Sequence, residues 1–342
     1  MTNDKTNPKL ARRTVLATAA AVPLFGILTK RAQAAEFTYK MATGQAPSHP
    51  VNKRAQEAID RIAAGSNGRI KINLFPAAQL GTDAQLISQV RIGGVQFINM
   101  ASSVLATFVP AAGVVNTGFA FSGYDQVWKA MDGELGNYIS QAIAKTGLMT
   151  IGRSWDNGFR QITTSTKPIK APDDLKDFKI RVPAAPILTS LFAALGASPT
   201  PIDFSEVYTA LQTHLVSGQE NPLPIISTAK LYEVQKYCSL TGHVWDGYWI
   251  LGNQAAMKRL PADLLALVLK EFNTSALDER ADIAALSQSL QASMSKEGLQ
   301  FIDVDKAQFR GALAKTDFYP HWKAKFGDQA WSLLESTAGK LG

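Results

Sequence analysis

The chain has 342 residues, 46% of them hydrophobic, which is the composition of a globular protein, and a formal net charge of +7 at neutral pH. Six basic residues and one acidic residue fall among the first 34, a net of +5, which leaves about +2 for the rest of the chain. Nucleic-acid binding is therefore not expected, since such proteins carry clustered positive charge. The single cysteine, Cys238, excludes an intramolecular disulfide, and four scattered histidines predict no metal site.

Residues 1–34 have the features of an export signal. The arginine pair Arg12-Arg13 precedes an apolar run over residues 15–28, and Ala32-Gln33-Ala34 then has the form of a cleavage site. As a helix the apolar run would be about 21 Å long, less than the roughly 30 Å of a bilayer core, so a permanent membrane span is not expected. We predict export by the twin-arginine route, cleavage near Ala34 and a periplasmic mature protein.

Strands and helices are predicted to alternate from the start of the mature chain. Apolar and polar residues alternate over 37–42 and over 70–75, as in half-buried strands. Residues 51–64 have the spacing of an amphipathic helix between them, and a further helix over 83–92 precedes a strand over 95–100. Strands that alternate with helices predict an α/β sheet whose ligand groups lie on loops at the strand ends.

A second set of elements is predicted further along the chain. Residues 178–182 are predicted to form a strand, and residues 185–195 and 204–213 are predicted to form helices. Residues 261–296 contain few helix breakers and many Ala, Leu and Glu residues, which predicts one long or kinked helix. Because about 308 mature residues exceed what a single core usually organises, we expect two lobes that can enclose a ligand between them.

Seven short motifs follow one another along the mature chain. They are Phe75-Pro76-Ala77-Ala78-Gln79-Leu80-Gly81, Asn157-Gly158-Phe159-Arg160, Pro172-Asp173-Asp174-Leu175, Lys179-Ile180-Arg181-Val182-Pro183, Phe204-Ser205-Glu206-Val207-Tyr208, Leu211-Gln212-Thr213 and Gly218-Gln219-Glu220-Asn221-Pro222. Their order and spacing resemble those of the solute receptors of TRAP transporters, the DctP-like family. The resemblance implies an α/β, two-lobed periplasmic-binding-protein fold with a hinge and a long helix that spans both lobes.

The same resemblance implies a function without catalysis. Such a receptor binds a small organic acid, a carboxylate, in the cleft between its lobes and delivers it to the membrane subunits of a TRAP permease by transient docking. We assign residues 35–157 with about 247–286 to the first lobe, and residues 158–246 with about 287–342 to the second. We expect a monomer that requires no cofactor.

Arg181 is the main candidate for ligand binding. A guanidinium offers a planar set of donors that matches a carboxylate, and it stays charged in a dehydrated cleft. An arginine in an apolar strand is more often a salt-bridge residue, but in the family the arginine at this place binds the carboxylate. The resemblance also directs Arg160 to the cleft, with the alternative that it holds Asp156 or another carboxylate at the hinge. Asn221 is expected to donate its amide to a ligand oxygen, with a structural turn as the alternative.

The remaining candidates stand at or beside positions that line the cleft in the family: Phe204, Trp245, Gln45, Asp83, Ser102, Ser103 and His243. The rings of Phe204 and Trp245 are expected to limit the size of the ligand, unless they belong to the core. Asp83 either repels a second ligand carboxylate or accepts a hydroxyl, unless it is only an acid at a helix N-terminus. For His243 the alternative to ligand contact is structural hydrogen bonding.

Two other functions compete with this interpretation. A secreted enzyme would need a nucleophile with its base or a set of metal ligands, and the sequence contains no G-x-S-x-G, P-loop, dinucleotide or calcium-loop motif. A sensor receptor of the same fold is not separated from a transport receptor by sequence. The ligand also stays open among four-carbon dicarboxylates, hydroxy or keto acids, sugar acids and aromatic acids.

Overall fold

A computed structural model describes residues 34–342, with the side chains at 287 and 288 excepted. These residues form one unit, Ala34–Gly342. The predicted export signal and its arginine pair lie outside the described residues, apart from Ala34. Among the described helices, none combines the length and the apolar character that a membrane crossing requires.

Eleven strands of the described residues form one mixed sheet. They are β1 Phe37–Ala42, β2 Ile70–Phe75, β3 Phe97–Ala101, β4 Leu148–Thr150, β5 Trp155–Thr164, β6 Lys179–Val182, β7 Ser198–Pro201, β8 Gly218–Pro222, β9 Tyr237–Ser239, β10 Trp245–Asn253 and β11 Gln300–Ile302. The main path of the sheet is β2-β1-β3-β10-β5-β8-β6-β7, while β4 pairs with β10, and β9 pairs with β5 and β11. The strands are interleaved with helices, which confirms the predicted α/β class.

The α-helices of residues 34–342 are α1 Pro50–Gly65, α2 Asp83–Ile92, α3 Ser102–Leu105, α4 Tyr124–Met131, α5 Glu134–Ala144, α6 Pro186–Ala194, α7 Val207–Gln212, α8 Leu223–Thr228, α9 Gln254–Lys258, α10 Ala262–Lys296, α11 Lys306–Ala314 and α12 Phe318–Ala338. Short 3-10 helices lie at Pro110–Asn116, Pro172–Leu175, Phe204–Glu206 and Leu231–Glu233. Helix α10 is a single helix of 35 residues, as its composition predicts. The predicted bounds of β1, β2 and α2 are also those observed.

Two predicted elements differ from the structure. Strand β3 begins two residues later than the predicted 95–100, because Gly93 ends α2 in the left-handed conformation (φ 79°) and the next two amides still bond to the Gln89 carbonyl. The helix predicted over 204–213 consists of a 3-10 turn, Phe204–Glu206, followed by α7. Local hydrogen bonds at the ends of these elements therefore decide where each begins.

Strands β5 and β10 join two halves of the sheet. One half contains β1 to β4, and the other contains β6 to β9 and β11. The first residues of β5 pair with the start of β10, and from Arg160 onward β5 pairs with β8 and β9. The later residues of β10 pair with β3 and β4. Both joining strands run antiparallel to all of these neighbours, whereas β1 is parallel to β2 and β3, and β6 is parallel to β7 and β8. Both are almost entirely buried, so they lack the alternation that predicts a strand, and neither is among the predicted elements.

Helix α10 runs along both halves of the sheet. Near its start Glu271 pairs with Arg61 of α1, and near its end Met294 belongs to the apolar cluster that contains Cys238 of β9. The predicted lobe boundaries, at 157/158 and 246/247, fall inside β5 and β10. Helix α12 packs against α4, α5 and the 3-10 helix before them, and also against α6. The division of the chain into lobes stays a prediction.

Two acids, Asp156 and Glu279, are buried beside each other where β5 meets α10. Glu279 Oε2 accepts a hydrogen bond from the Asp156 amide at 2.9 Å, and Asp156 Oδ1 accepts one from the Trp245 indole at 2.9 Å. Their other oxygens, Asp156 Oδ2 and Glu279 Oε1, have no partner among the described residues. Burial raises the pKa of Asp156 to about 7 against the effect of the Trp245 hydrogen bond. Burial and the charge of Asp156 raise the pKa of Glu279 well above its usual value.

We expect Asp156 to lower the free energy of unfolding as the pH rises from about 4 to about 7, against the opposite contribution of the buried His49 and His243, whose pKa values burial lowers. In this range the folded protein keeps a proton on Asp156, whose ordinary pKa is 3.8, while the unfolded chain has released it. The loss is at most about 1.4 kcal/mol per pH unit for each such proton. Glu279→Gln keeps an acceptor for the Asp156 amide and removes one acid that holds a proton in the fold. The slope of its free energy of unfolding against pH should therefore be less negative than that of the wild type when urea unfolding is measured from pH 5 to pH 8.

Glu271→Gln is the matched control on the same helix, because hydrogen bonds from Arg61 and Lys270 outweigh burial and lower the pKa of Glu271. Its loss should leave the slope of the free energy of unfolding against pH the same as in the wild type. If the slopes of Glu279→Gln and the wild type are equal, the two buried acids do not retain protons in the folded state.

Candidate functional site

A small cavity lies between the two halves of the sheet, beside the joining strands. Its volume is about 30 Å³, room for roughly two water molecules, so it has to widen to admit an organic acid. A second pocket of about 240 Å³ shares the Phe204 ring with it. The cavity is lined by Gln45, Asp83, Ala101, Ser103, Val104, Asn157, Arg160, Arg181, Pro183, Phe204, Asn221, Ile225 and Tyr248. The larger pocket continues past Phe204 along Gly44, Ala46, Ala77, Ala78, Ser205, Val207, Tyr208, Ala229 and Leu231.

The structure brings most of the predicted ligand residues to this wall. Those that line the cavity are Arg181, Arg160, Asn221, Phe204, Gln45, Asp83 and Ser103. They come from seven separate stretches of the chain, which the fold brings together: the loop after β1, the start of α2, α3 after β3, the joining strand β5, β6, the 3-10 helix after β7, and β8. A cleft between the sheet halves is thus assembled from residues that are far apart in the sequence.

Three predicted residues lie behind the wall instead of on it: His243, Trp245 and Ser102. The Trp245 indole donates to Asp156, and its ring packs edge-on against Phe121 and Trp128. Ser102 Oγ accepts a hydrogen bond from the Trp249 indole at 3.1 Å. These contacts correspond to the core-packing alternative for Trp245, and contact of these three residues with a ligand stays a prediction.

Arg181 stands at the wall with its charge unpaired. Its side chain is 1% exposed, and Nε and Nη2 donate to the Ile202 carbonyl at 2.9 and 2.7 Å. Within residues 34–342 it forms no salt bridge, and Nη1 makes no hydrogen bond. Burial lowers the pKa of Arg181 to about 10, which still leaves the guanidinium charged at neutral pH. The Ile202 carbonyl fixes one edge of the guanidinium and leaves Nη1 for an anion.

Arg160, by contrast, is already neutralised by two buried acids. Its Nε and Nη2 donate to the Glu220 carboxylate, and Nη1 lies 3.2 Å from Asp246 Oδ2. Nη2 also donates to the Glu220 carbonyl at 2.8 Å. Ser103 adds a hydrogen bond from its hydroxyl to Asp246 Oδ2 at 2.6 Å. The contacts match the sequence alternative in which Arg160 holds a carboxylate at the joining strands, although the acids are Glu220 and Asp246 and not Asp156.

Glu220 connects this pair to His243. Burial by itself would raise the pKa of the Glu220 carboxyl, but the charge of Arg160 and the hydrogen bond from His243 hold it at about 2. Burial lowers the pKa of His243, so the ring is neutral. Since an ionised Glu220 can only accept, Nε2 of His243 carries the proton and donates at 3.0 Å, and Nδ1 accepts from the Thr241 hydroxyl at 2.8 Å. His243 therefore supports the ion pair from behind the wall.

Arg160 also fixes the direction of the Asn221 amide. Asn221 Oδ1 lies 3.1 Å from Arg160 Nη2, and only an oxygen can accept from a guanidinium. The amide nitrogen then donates one hydrogen to Gln219 Oε1. Its second hydrogen has no partner among the described residues, so Asn221 can donate to an anion in the cavity, as predicted from the sequence.

Asp83 lies half-buried in the opposite wall, at the first residue of α2. Its carboxylate makes no hydrogen bond or salt bridge within the described residues. Burial raises the pKa of Asp83 to about 6, Asp203 adds to the shift and Arg181 opposes it. Asp83 is therefore mostly ionised at neutral pH, and its charge interacts with that of Arg181 although the two groups do not pair.

Sequence reasoning missed four polar residues of this region: Glu220, Asp246, Asn157 and Tyr248. Glu220 and Asn157 lie inside motifs that the sequence displays, and an acid within an apolar stretch such as residues 244–251 is itself a signal for a buried ion pair. The Tyr248 hydroxyl and Asn157 Oδ1 are buried without a hydrogen-bond partner among the described residues. Nothing in the sequence indicates that these two atoms face the cavity.

Comparison with protein families gives one match over most of the chain. The model of the DctP family, described as bacterial extracellular solute-binding protein, family 7, matches residues 41–319. The matched range includes every residue of the cavity wall.

Two curated proteins and one solved structure illustrate the similarity. The chain is 32% identical over 309 residues to the uncharacterized protein y4mM of Sinorhizobium fredii, covering 90% of this chain but only 57% of that protein. It is 30% identical over 295 residues to the 2,3-diketo-L-gulonate-binding periplasmic protein YiaO of Escherichia coli, covering 86% of this chain and 88% of that protein.

The structure of a TRAP periplasmic solute-binding protein from Sulfurospirillum deleyianum with bound succinate superimposes with a TM-score of 0.84 at 28% identity, covering 89% of this chain and 99% of that one. The agreement confirms the predicted two-lobed receptor fold.

Proposed function

We propose that this protein, which belongs to the bacterial extracellular solute-binding proteins of family 7, captures a small organic acid with Arg181 and releases it to a membrane permease. Family membership confirms the prediction of a receptor that is not an enzyme. The observation that carries the proposal is the unpaired, buried guanidinium of Arg181 at the wall of the cavity. A buried charge without a partner is costly, and a carboxylate is the anion that best matches its donors.

The second donor to the acid is the Asn221 amide. Arg160 already holds the amide oxygen, so the nitrogen is directed before any ligand arrives, and little conformational entropy is lost on binding. Arg181 and Asn221 lie on β6 and β8, in the same half of the sheet. Gln45, Asp83 and Ser103 belong to the other half, so an acid bound by Arg181 can contact both walls.

Closure around the acid follows from the joining strands. Because β5 and β10 pair with both halves of the sheet, small changes in their backbone angles can move one half relative to the other. The 30 Å³ cavity is too small for an organic acid, so entry and release require such an opening. A ligand that contacts both walls stabilises the closed state by its extra affinity for that state.

Release of the acid to the small and large membrane subunits of a TRAP permease is the partner interaction we propose. Export with cleavage near Ala34 places the mature receptor in the periplasm, where such subunits are accessible. We expect the mature receptor to be a monomer.

A thermal-shift screen of the mature protein tests the proposed function. Each organic acid of three to six carbons is compared with the primary amide of the same carbon skeleton at constant ionic strength. At 100 times its Kd a ligand stabilises the folded state by about 2.7 kcal/mol, so a binding acid raises the Tm and its amide does not. The proposal fails if no acid raises the Tm, or if the amides raise it equally.

A further inference from the structure

The cavity wall contains hydrogen-bond acceptors for which the described residues supply no donor. The Asp83 carboxylate has no hydrogen bond or salt bridge within residues 34–342. Asn157 is 1% exposed, and its Oδ1 has no partner in the same part of the chain. A buried acceptor left unsatisfied costs about 1–3 kcal/mol, so Asn157 Oδ1 is expected to meet a donor when the site is occupied. The half-buried Asp83 carboxylate lines the same cavity and is free to accept a hydrogen bond there.

Asp83 is not needed for the helix on which it lies. The N-terminus of α2 is capped by Thr82, whose hydroxyl accepts from the Gln85 amide while the Gln85 side chain accepts from the Thr82 amide. The backbone beside Asp83 also leaves room for its carboxylate, because a Cβ atom at Gly44 would lie only 3.2 Å from Asp83 Oδ1. The carboxylate is thus free of local structural bonds and faces the cavity.

The charges around Asp83 argue against a second carboxylate on the ligand. Arg181 attracts Asp83 without pairing with it, and the next acid, Asp203, repels it. Among the arginines of the wall, Arg160 is already paired with two acids. A ligand with two carboxylates would place one of them beside Asp83 with no unpaired cation left for it, and like charges in a dehydrated cleft repel strongly.

A hydroxyl group can donate a hydrogen bond to these acceptors, whereas an ionised carboxylate cannot. It donates to Asp83 or Asn157, and it can accept at the same time. Tyr248 lines the cavity, and its hydroxyl, which has no hydrogen-bond partner among the described residues, is such a donor. Similar proteins are described with both kinds of ligand, D-erythronate and galactonate in two structures and succinate in another.

We propose that the ligand is a monocarboxylate that carries hydroxyl groups near its carboxylate, and that Asp83 selects it over dicarboxylates. This inference rests on the proposed function. The carboxylate binds Arg181 and Asn221, and a hydroxyl fills the space between Arg181 and Asp83 while it donates to the Asp83 carboxylate. Asp83 is therefore the specificity-determining residue of the opposite wall.

Isothermal titration calorimetry with three matched sets of acids tests the proposal. The sets are glycerate, propionate and malonate; erythronate, butyrate and succinate; and gluconate, hexanoate and adipate. In at least one set the hydroxylated acid should bind the wild type at least tenfold more tightly than both the plain acid and the diacid. If the diacid binds more tightly and still requires Arg181, the inference is wrong and the proposed function stands. If none of the nine acids binds while another acid raises the Tm in the thermal-shift screen, the inference is wrong and the proposed function stands.

Variants of Asp83 separate charge from hydrogen bonding. Asp83→Asn keeps an acceptor but removes the charge, so the diacid should gain at least tenfold in affinity relative to the hydroxylated acid of its set. Asp83→Ala removes both, and the hydroxylated acid should lose at least tenfold relative to the plain acid. The matched control is Asp125→Asn, because Asp125 is likewise an acid in the first turn of a helix, α4, but is exposed and does not line the cavity. In the control variant the ratios of affinity between the three acids of a set should stay within threefold of the wild-type ratios. If these ratios also stay within threefold in both Asp83 variants, Asp83 does not determine the specificity.

Discussion

Replacing Arg181 with alanine is expected to abolish measurable binding of organic acids. In the wild type the guanidinium and the ligand carboxylate pair in a site closed to water, and removal of one partner of such a pair costs roughly 3–5 kcal/mol. The expected loss of affinity is therefore about 10²- to 10³-fold or more. The measurement is isothermal titration calorimetry with the acid that raises the Tm of the wild type most in the thermal-shift screen.

The fold should tolerate this change. Arg181 bonds only to the Ile202 carbonyl among the described residues, so the ligand-free variant loses an unpaired buried charge and little else. Its Tm should be at or above that of the wild type. Arg181→Lys should restore binding poorly, because an ammonium cannot reproduce the planar set of donors.

Arg153→Ala is the control for this series, since Arg153 is half-exposed and pairs with Asp132 away from the cavity. Its affinity should equal that of the wild type. Binding by Arg181→Ala within a few-fold of the wild type would show that another group holds the acid.

Replacing Arg160 with alanine should instead destabilise the ligand-free protein by about 3–5 kcal/mol. The change leaves Glu220 and Asp246, both 0% exposed, without their shared cation. Urea unfolding without ligand measures the loss directly. Affinity should fall as well, because Asn221 loses the donor that directs its amide.

Glu220→Gln is the companion variant. It keeps the shape of the side chain and an acceptor for Arg160, and Asp246 still balances the positive charge. Its cost should therefore be clearly smaller than that of Arg160→Ala. Unchanged stability of ligand-free Arg160→Ala, together with a large loss of affinity, would instead make Arg160 a direct ligand contact.

Residue patterns along the chain predict several of the regular elements in which one face is exposed. The alternation in 37–42 and 70–75 and the composition of 261–296 correspond to β1, β2 and α10. The central strands were not predicted, because β5 and β10 are buried on both faces and show no period of two. Burial on both faces is a property of the assembled sheet, so no local pattern records it.

For the candidate site, too, the sequence identifies some residues but not the placement of others. The motifs identify Arg181, Arg160 and Asn221, and all three line the cavity. They do not show that Trp245, the first residue of β10, and His243 just before it fold behind the wall. The direction of a side chain depends on the strand register, and a neighbour in the sequence points to the opposite face.

The sequence by itself determined that this protein has an arginine suited to a carboxylate, an α/β fold and no recognisable catalytic motif. Only the tertiary structure decided which arginine is paired with acids of the protein and which can pair with a ligand. Arg160 pairs with Glu220, which lies 60 residues further along the chain, and with Asp246, which lies 86 residues further along. Arg181 forms no salt bridge among the described residues. Pairing of charges depends on distance in space, and the fold alone sets that distance.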